Sequence, residues 1–170
     1  MKAQNKFIIA VLTTLLTTAG INTASYAAPS VDGKIFPGNM CQPTNGNQAE
    51  RFITHYWGIH NKNDSTAPMA VTCPIVRDNT LNDSGLEIVQ VRVKNSAAGD
   101  LSCVLASFTK FSIQPSTYSA VTHQPGNQEL SLKVDKSEPG GGAYALYCIL
   151  PPGAKLWNYW VKEFAPTDPN

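Results

Sequence analysis

The 170-residue chain has no C-x-x-C pair, no G-x-S-x-G elbow, no P-loop and no EF-hand register. Each absence removes a signal for one class of chemistry. Structural zinc sites use closely spaced cysteines, and these cysteines are far apart. A serine hydrolase of the nucleophile-elbow kind has no motif to stand on, and the serines fall mainly in turns. Gly140-Gly141-Gly142 is followed by Ala143-Tyr144-Ala145, not by Lys-Ser/Thr and a helix start, so it reads as a hairpin loop and not a phosphate cradle. Asp78, Asn82 and Asp83 form an oxygen-rich loop that could hold calcium, though outside the EF-hand pattern.

Charge is also scarce, at 15% Asp, Glu, Lys and Arg, with a net +1. The sequence begins with the marks of a cleaved signal peptide over residues 1–27. Lys2 and Lys6 supply a positive start, residues 7–16 an apolar run, and Ser25-Tyr26-Ala27 small residues at −3 and −1 of a cleavage site. Thr13, Thr14 and Gly20 leave the run short of the ~20 apolar residues that a bilayer span requires. No cysteine follows closely, so a lipid anchor is not indicated. What remains, residues 28–170, carries 11 basic and 12 acidic side chains, a net charge of −1. Nucleic-acid binders need a basic stripe, and none is present. No later stretch is long enough to cross a membrane. The expected product is one secreted or periplasmic domain of 143 residues, long enough to bury a core of its own.

No segment sustains a 3.6-residue apolar period, and 12 glycines with 12 prolines disfavour long helices. Period-2 patterns are frequent instead. In 87–94, Val89, Val91 and Val93 face one way and Gln90, Arg92 and Lys94 the other. In 128–135, Leu130, Leu132 and Val134 alternate with Glu129, Ser131 and Lys133. Residues 52–59, 69–76, 101–108, 143–150 and 155–164 complete the main set, with 117–122 a weaker candidate. Pro125-Gly126-Asn127, Pro139-Gly140 and Pro151-Pro152-Gly153 mark turns between them. The pattern predicts an all-β fold, an antiparallel β-sandwich of jelly-roll type.

Four cysteines remain in the secreted part: Cys41, Cys73, Cys103 and Cys148. An even count behind a signal peptide implies two disulfides. The pairing Cys41–Cys73 and Cys103–Cys148 is expected among three connectivities. Cys103 shares a strand face with Leu101 and Leu105, and Cys148 with Tyr144, Leu146 and Leu150, so the second pair can meet in the core. Paired cysteines are not nucleophiles.

Three histidines are available. On one extended strand over 52–59, His55 and the adjacent His60 would lie on opposite faces, which argues against a shared metal. His123 sits in a loop without a sequence partner. Glu87 and Glu129 look like solvated outward positions, not a glycosidase carboxylate pair. The aromatic residues carry more weight. On the last strand, Trp157, Tyr159 and Val161 share an apolar face expected to be core. Leu156, Asn158, Trp160 and Lys162 share the other, so Trp160 and Asn158 are the candidate ligand-binding residues, a stacking aromatic beside a polar group. The alternative is that Trp160 packs under a neighbouring loop. Asn63-Asp64-Ser65 and Asn82-Asp83-Ser84 match the glycosylation sequon, but behind a signal of bacterial style they are ordinary turns.

Several stretches resemble a group of uncharacterised secreted bacterial proteins. They are Gly38-Asn39-Met40-Cys41-Gln42-Pro43, Val71-Thr72-Cys73-Pro74-Ile75-Val76-Arg77-Asp78, Cys103 in a strand, Tyr144-Ala145-Leu146-Tyr147-Cys148-Ile149-Leu150-Pro151 and Tyr159-Trp160-Val161-Lys162-Glu163. The resemblance implies one secreted domain with these four cysteines. It implies no activity and transfers no site residue. The reading is therefore a binding or structural module without enzymatic activity and without its own cofactor or metal, whose partner is an unknown protein or glycan. The alternatives are a carbohydrate-binding module using exposed aromatics, and a secreted hydrolase with a loop-borne site.

Overall fold

The computed structural model describes residues 33–77, 85–108, 116–134 and 143–163. Residues 1–27, expected to be a signal segment, the loop with Asp78, Asn82 and Asp83, and Gly140-Gly141-Gly142 lie outside the described residues.

The described residues form eleven strands: β1 Gly33–Pro37, β2 Gln42–Pro43, β3 Phe52–His55, β4 Gly58–Asn61, β5 Met69–Pro74, β6 Leu86–Asn95, β7 Leu101–Phe108, β8 Ser116–Thr122, β9 Gly126–Lys133, β10 Ala143–Leu150 and β11 Lys155–Glu163. Short 3-10 turns at Gly38–Met40 and Gly46–Arg51 link the early strands. Every pairing is antiparallel. One sheet has the order β3-β4-β11-β6-β9, with β1 also on β11; the other has β2-β5-β10-β7-β8. Strands β4 to β11 alone give 4-11-6-9 facing 5-10-7-8. The first strand of this set pairs the last, and the second pairs the last but one. This is the jelly-roll order of two Greek keys, as the period-2 patterns predicted. Strands β1 and β2 were not anticipated, since five and two residues are too few for a pattern to register.

Turn chemistry sets the register where it can be checked. At Pro151-Pro152-Gly153-Ala154, the amide of Ala154 donates to the carbonyl of Pro151 at 3.0 Å, and Gly153 takes φ +79°. That is a type II turn, with proline fixing the first corner and glycine the second. It delivers the chain from β10 in one sheet to β11 in the other.

The core between the sheets is built from the inward positions. Val89, Val91 and Val93 of β6, Leu130 and Leu132 of β9, Leu101 and Leu105 of β7, and Leu146 and Leu150 of β10 are buried. Both disulfides are formed as expected, Cys41–Cys73 and Cys103–Cys148. Their placement differs from a link across the core. Cys103 and Cys148 are direct cross-strand partners on β7 and β10, and Cys41 precedes β2, whose partner strand β5 carries Cys73. Each bridge thus joins neighbours within the five-stranded sheet.

The β6–β11 pair holds two irregularities. Leu156 pairs Val93 and Asn158 pairs Arg92, so Trp157 is an extra residue on β11. At the other end Lys162 pairs Ile88 and Glu163 pairs Leu86, so Glu87 is the extra residue on β6. A bulge resets the alternation of side chains. Leu156, Tyr159 and Val161 are buried, whereas Trp157 is not. This corrects the strict alternation expected for β11, in which Trp157 belonged to the core and Leu156 did not.

A second correction concerns 52–59. It is not one strand but a hairpin, β3 and β4, turning at Tyr56-Trp57. Tyr56 is 89% exposed at its tip.

Candidate functional site

The two sheets turn very different faces outward. On the five-stranded sheet the outward positions are residues such as Thr72, Val104, Ser119, Val121, Tyr147 and Ile149, with no charged side chain among the described ones. The six-stranded sheet instead presents indoles, amides and charges.

Its aromatic centre is made by the two irregular features just described. The bulge turns Trp157 out of the core. The β3–β4 hairpin brings Trp57 against it, with ring centroids 4.4 Å apart and planes tilted by 36°. His55 stacks on Trp57 at 4.5 Å, with planes 10° apart. His60 follows at 6.3 Å from His55. The hairpin thus places both histidines on one face, contrary to the expectation from a single strand. Close approach of the hairpin needs glycine. A Cβ on Gly58 would run into the Leu156 carbonyl and lie 3.1 Å from the Trp157 Cα. A Cβ on Gly38 would meet the same carbonyl.

Lys155 completes this end. Its Nζ lies 5.6 Å from the Trp57 centroid and 5.9 Å from that of Trp157, within reach of the ring quadrupoles. His60 is cross-strand to Lys155 and 9% exposed. Burial pushes its imidazole below the ordinary value; a hydrogen-bond contact with Asn63 Oδ1 at 3.4 Å opposes this, and Lys155 and His55 add to the depression.

Beyond the bulge, the face opens into a groove of about 530 Å³ lined by Trp157, Asn158, Arg92, Asn127, Gln128 and Glu129. Arg92 Nε lies 3.2 Å from Glu129 Oε2, a pair in register across β6 and β9. A shallower recess continues along β11, formed by Trp160, Asn158, Arg92, Gln90 and Ile35. Asn158 and Arg92 border both. Trp160 does not pack under a loop. Its indole lies over Gly33 of β1, where a Cβ would come within 2.5 Å of Nε1, and it stays half-buried. The structure therefore brings Trp160 and Asn158 to one surface and adds Trp157 and Trp57. Sequence reasoning missed these two because a bulge and a two-residue turn leave little mark on period-2 alternation.

The remaining candidates stay apart from this face. His123 Nδ1 lies 2.6 Å from Asp100 Oδ1 in a pair that is mostly exposed, without a water-excluded cleft around it. Among the described residues, no three His, Cys, Asp or Glu side chains come together to hold a metal. Glu163 is buried, with Lys34 Nζ at 3.3 Å and Arg77 Nε at 3.7 Å, and serves the interior. Among the described residues, no helix is long and apolar enough to cross a membrane.

No protein-family model and no curated protein matches the chain. Among solved structures, it is similar to the xylan-binding module CBM15 at 12% identity and a TM-score of 0.46, over 76% of this chain and 96% of that one. It is also similar to BiXyn10A CBM1 in its apo form at 13% identity and a TM-score of 0.33, over 76% and 95% of the two chains.

Proposed function

We propose that this protein is a secreted, non-catalytic binding module that holds an extended polysaccharide across the outer face of its six-stranded sheet. One observation carries the reading: Trp157 and Trp160 share that face, with Asn158 between them and the amides of Gln90 and Asn127 alongside. Between two and three strand steps separate the two indoles, because Trp157 sits in the bulge, a spacing of about 7–10 Å. That is more than one pyranose ring spans, so the platforms address different residues of one sugar chain. Indole faces take the apolar C–H face of a sugar, and amides exchange hydrogen bonds with its hydroxyls. A groove open along the sheet suits the middle of a polymer.

Secretion through residues 1–27, and kinship with the uncharacterised secreted group, belong to the same proposal. The two disulfides fit an oxidising compartment. The experiment is a titration of the oxidised protein against a broad panel of soluble polysaccharides, followed by tryptophan fluorescence and calorimetry. Binding is expected to at least one class, and to be lost in Trp157→Ala and Trp160→Ala with the fold intact. A flat response across the panel would remove the proposal.

A further inference from the structure

The charges on this face are not evenly matched. Lys162 Nζ lies 2.6 Å from Glu87 Oε2, and Arg92 is held by Glu129. At the Trp57–Trp157 end the pattern changes. Lys94 of β6 and Lys155 of β11 are direct cross-strand partners. Like charges placed opposite each other on one sheet face cost stability. Neither has a carboxylate within ion-pair distance among the described residues. His60 sits on the far side of Lys155, and its proton affinity, depressed chiefly by burial, is lowered further by that ammonium. The strands therefore hold two ammonium groups without a carboxylate partner among the described residues, Lys155 over the indole pair and Lys94 beside it, on the surface read above as a sugar platform.

We infer that the platform is built for an acidic polysaccharide, with a uronate ring on Trp157 and its carboxylate taken between Lys94 and Lys155. The inference rests on the glycan-binding reading and names the sugar class. A uronate carboxylate projects from the edge of the pyranose ring. A ring on Trp157 therefore directs that group along the sheet, within the patch shared by Lys155, whose Nζ stands over the Trp157 ring at 5.9 Å from its centroid, and its cross-strand partner Lys94. Carboxylate binding would offset the Lys94–Lys155 repulsion, so the cost carried by the free protein becomes affinity in the complex. The mostly neutral recess around Trp160, with Gln90, Asn158 and Ile35, would take the next sugars through hydroxyl contacts.

The test compares polymers that differ only in charge. Polygalacturonate and alginate are each titrated alongside their fully methyl-esterified forms, with xylan, glucan and mannan as neutral polymers and a single-stranded oligonucleotide as a non-sugar polyanion. At low salt, at least one acid form should bind about ten-fold tighter than its ester, a difference of about 1.4 kcal/mol. That preference should shrink as salt rises. In K94Q/K155Q the preference should fall away while residual ester binding persists. Equal binding of acid and ester, a preference that survives in K94Q/K155Q, or oligonucleotide binding as strong as the best acid would overturn the inference. Neutral polymers binding as well as the acids would overturn it and leave the platform reading intact. No binding to any polysaccharide would remove both.

Discussion

Trp57 lies against Trp157, centroids 4.4 Å apart, where a two-residue turn meets a one-residue bulge. Neither indole would reach the other in regular strands. The contact depends on Gly58, which lets the hairpin close on the Leu156 carbonyl. Gly58→Ala is expected to force the hairpin away and cost about 1–3 kcal/mol, as overpacking does at tight sites. Urea denaturation measures the loss, and near-ultraviolet circular dichroism should report the broken indole pair.

Neighbouring residues on β11 should behave in opposite ways. Leu156 is fully buried, so Leu156→Ala should cost about 2–5 kcal/mol through lost burial and a residual cavity. Trp157→Ala should cost far less, about 0.5–1.5 kcal/mol for the ring contact, although it deletes the larger side chain. Chemical denaturation of the two variants decides this. Equal losses would mean that Trp157 is core after all.

That contrast marks what could be read from the chain. Strand identity was legible wherever apolar and polar residues alternated over seven or more positions, as in β6 and β9, and the turns announced themselves through proline and glycine. The Cys103–Cys148 bridge followed from cysteines sharing strand faces with leucines, and Cys41–Cys73 was its complement. The site was legible in part. Trp160 and Asn158 lie on the outer face as the parity of β11 indicates, because no irregularity falls between them. Trp157 lies one residue before Asn158, inside the bulge, and there parity gives the wrong face. His55 and His60 failed for the same reason, since counting along one strand cannot detect a reversal at Tyr56-Trp57. Alternation and turn spacing pointed to the sandwich type, whereas the individual pairings, such as β4 with β11 and β5 with β10, are long-range edge contacts that no local pattern marks.

Tyr159 ties the layers together. Its hydroxyl donates to the Pro74 carbonyl at 2.5 Å, and its ring stacks on Phe36 at 5.2 Å. Tyr159→Phe should lose about 0.5–1.5 kcal/mol. Burial pushes the phenol above the ordinary tyrosine range. The folded state therefore resists ionisation that the unfolded chain accepts. Stability from this group is complete below pH about 10, the unfolded value, and declines as the pH rises beyond it. Alkaline denaturation curves should show a smaller decline in Tyr159→Phe than in the parent.

His60 provides the acid counterpart. Its proton affinity is lowered in the fold, so the unfolded chain binds a proton first as pH falls. The contribution to stability is present above pH about 6.5 and decreases below it. Proton NMR of the imidazole should give a midpoint below that value. A midpoint at or above it would contradict the burial beside Lys155.

All four cysteines should be silent to thiol reagents in unreduced, denatured protein, because no free cysteine exists. The bridges close loops with sequence separations of 32 and 45. On the chain-entropy account each contributes about 4 kcal/mol, so the double variant C103A/C148A should show a loss of that order in denaturant titrations.

The location of those bridges has a mechanical side. Both lie inside the five-stranded layer, the one whose outer surface bears no charge among the described residues. They fix β7 to β10, and the chain before β2 to β5, so neither of these pairs can slip in register without breaking a covalent bond. The opposite layer, which carries the indoles, has no such pin and keeps its register by hydrogen-bonded pairing and packing alone. The covalent constraint thus sits on the layer turned away from the indoles.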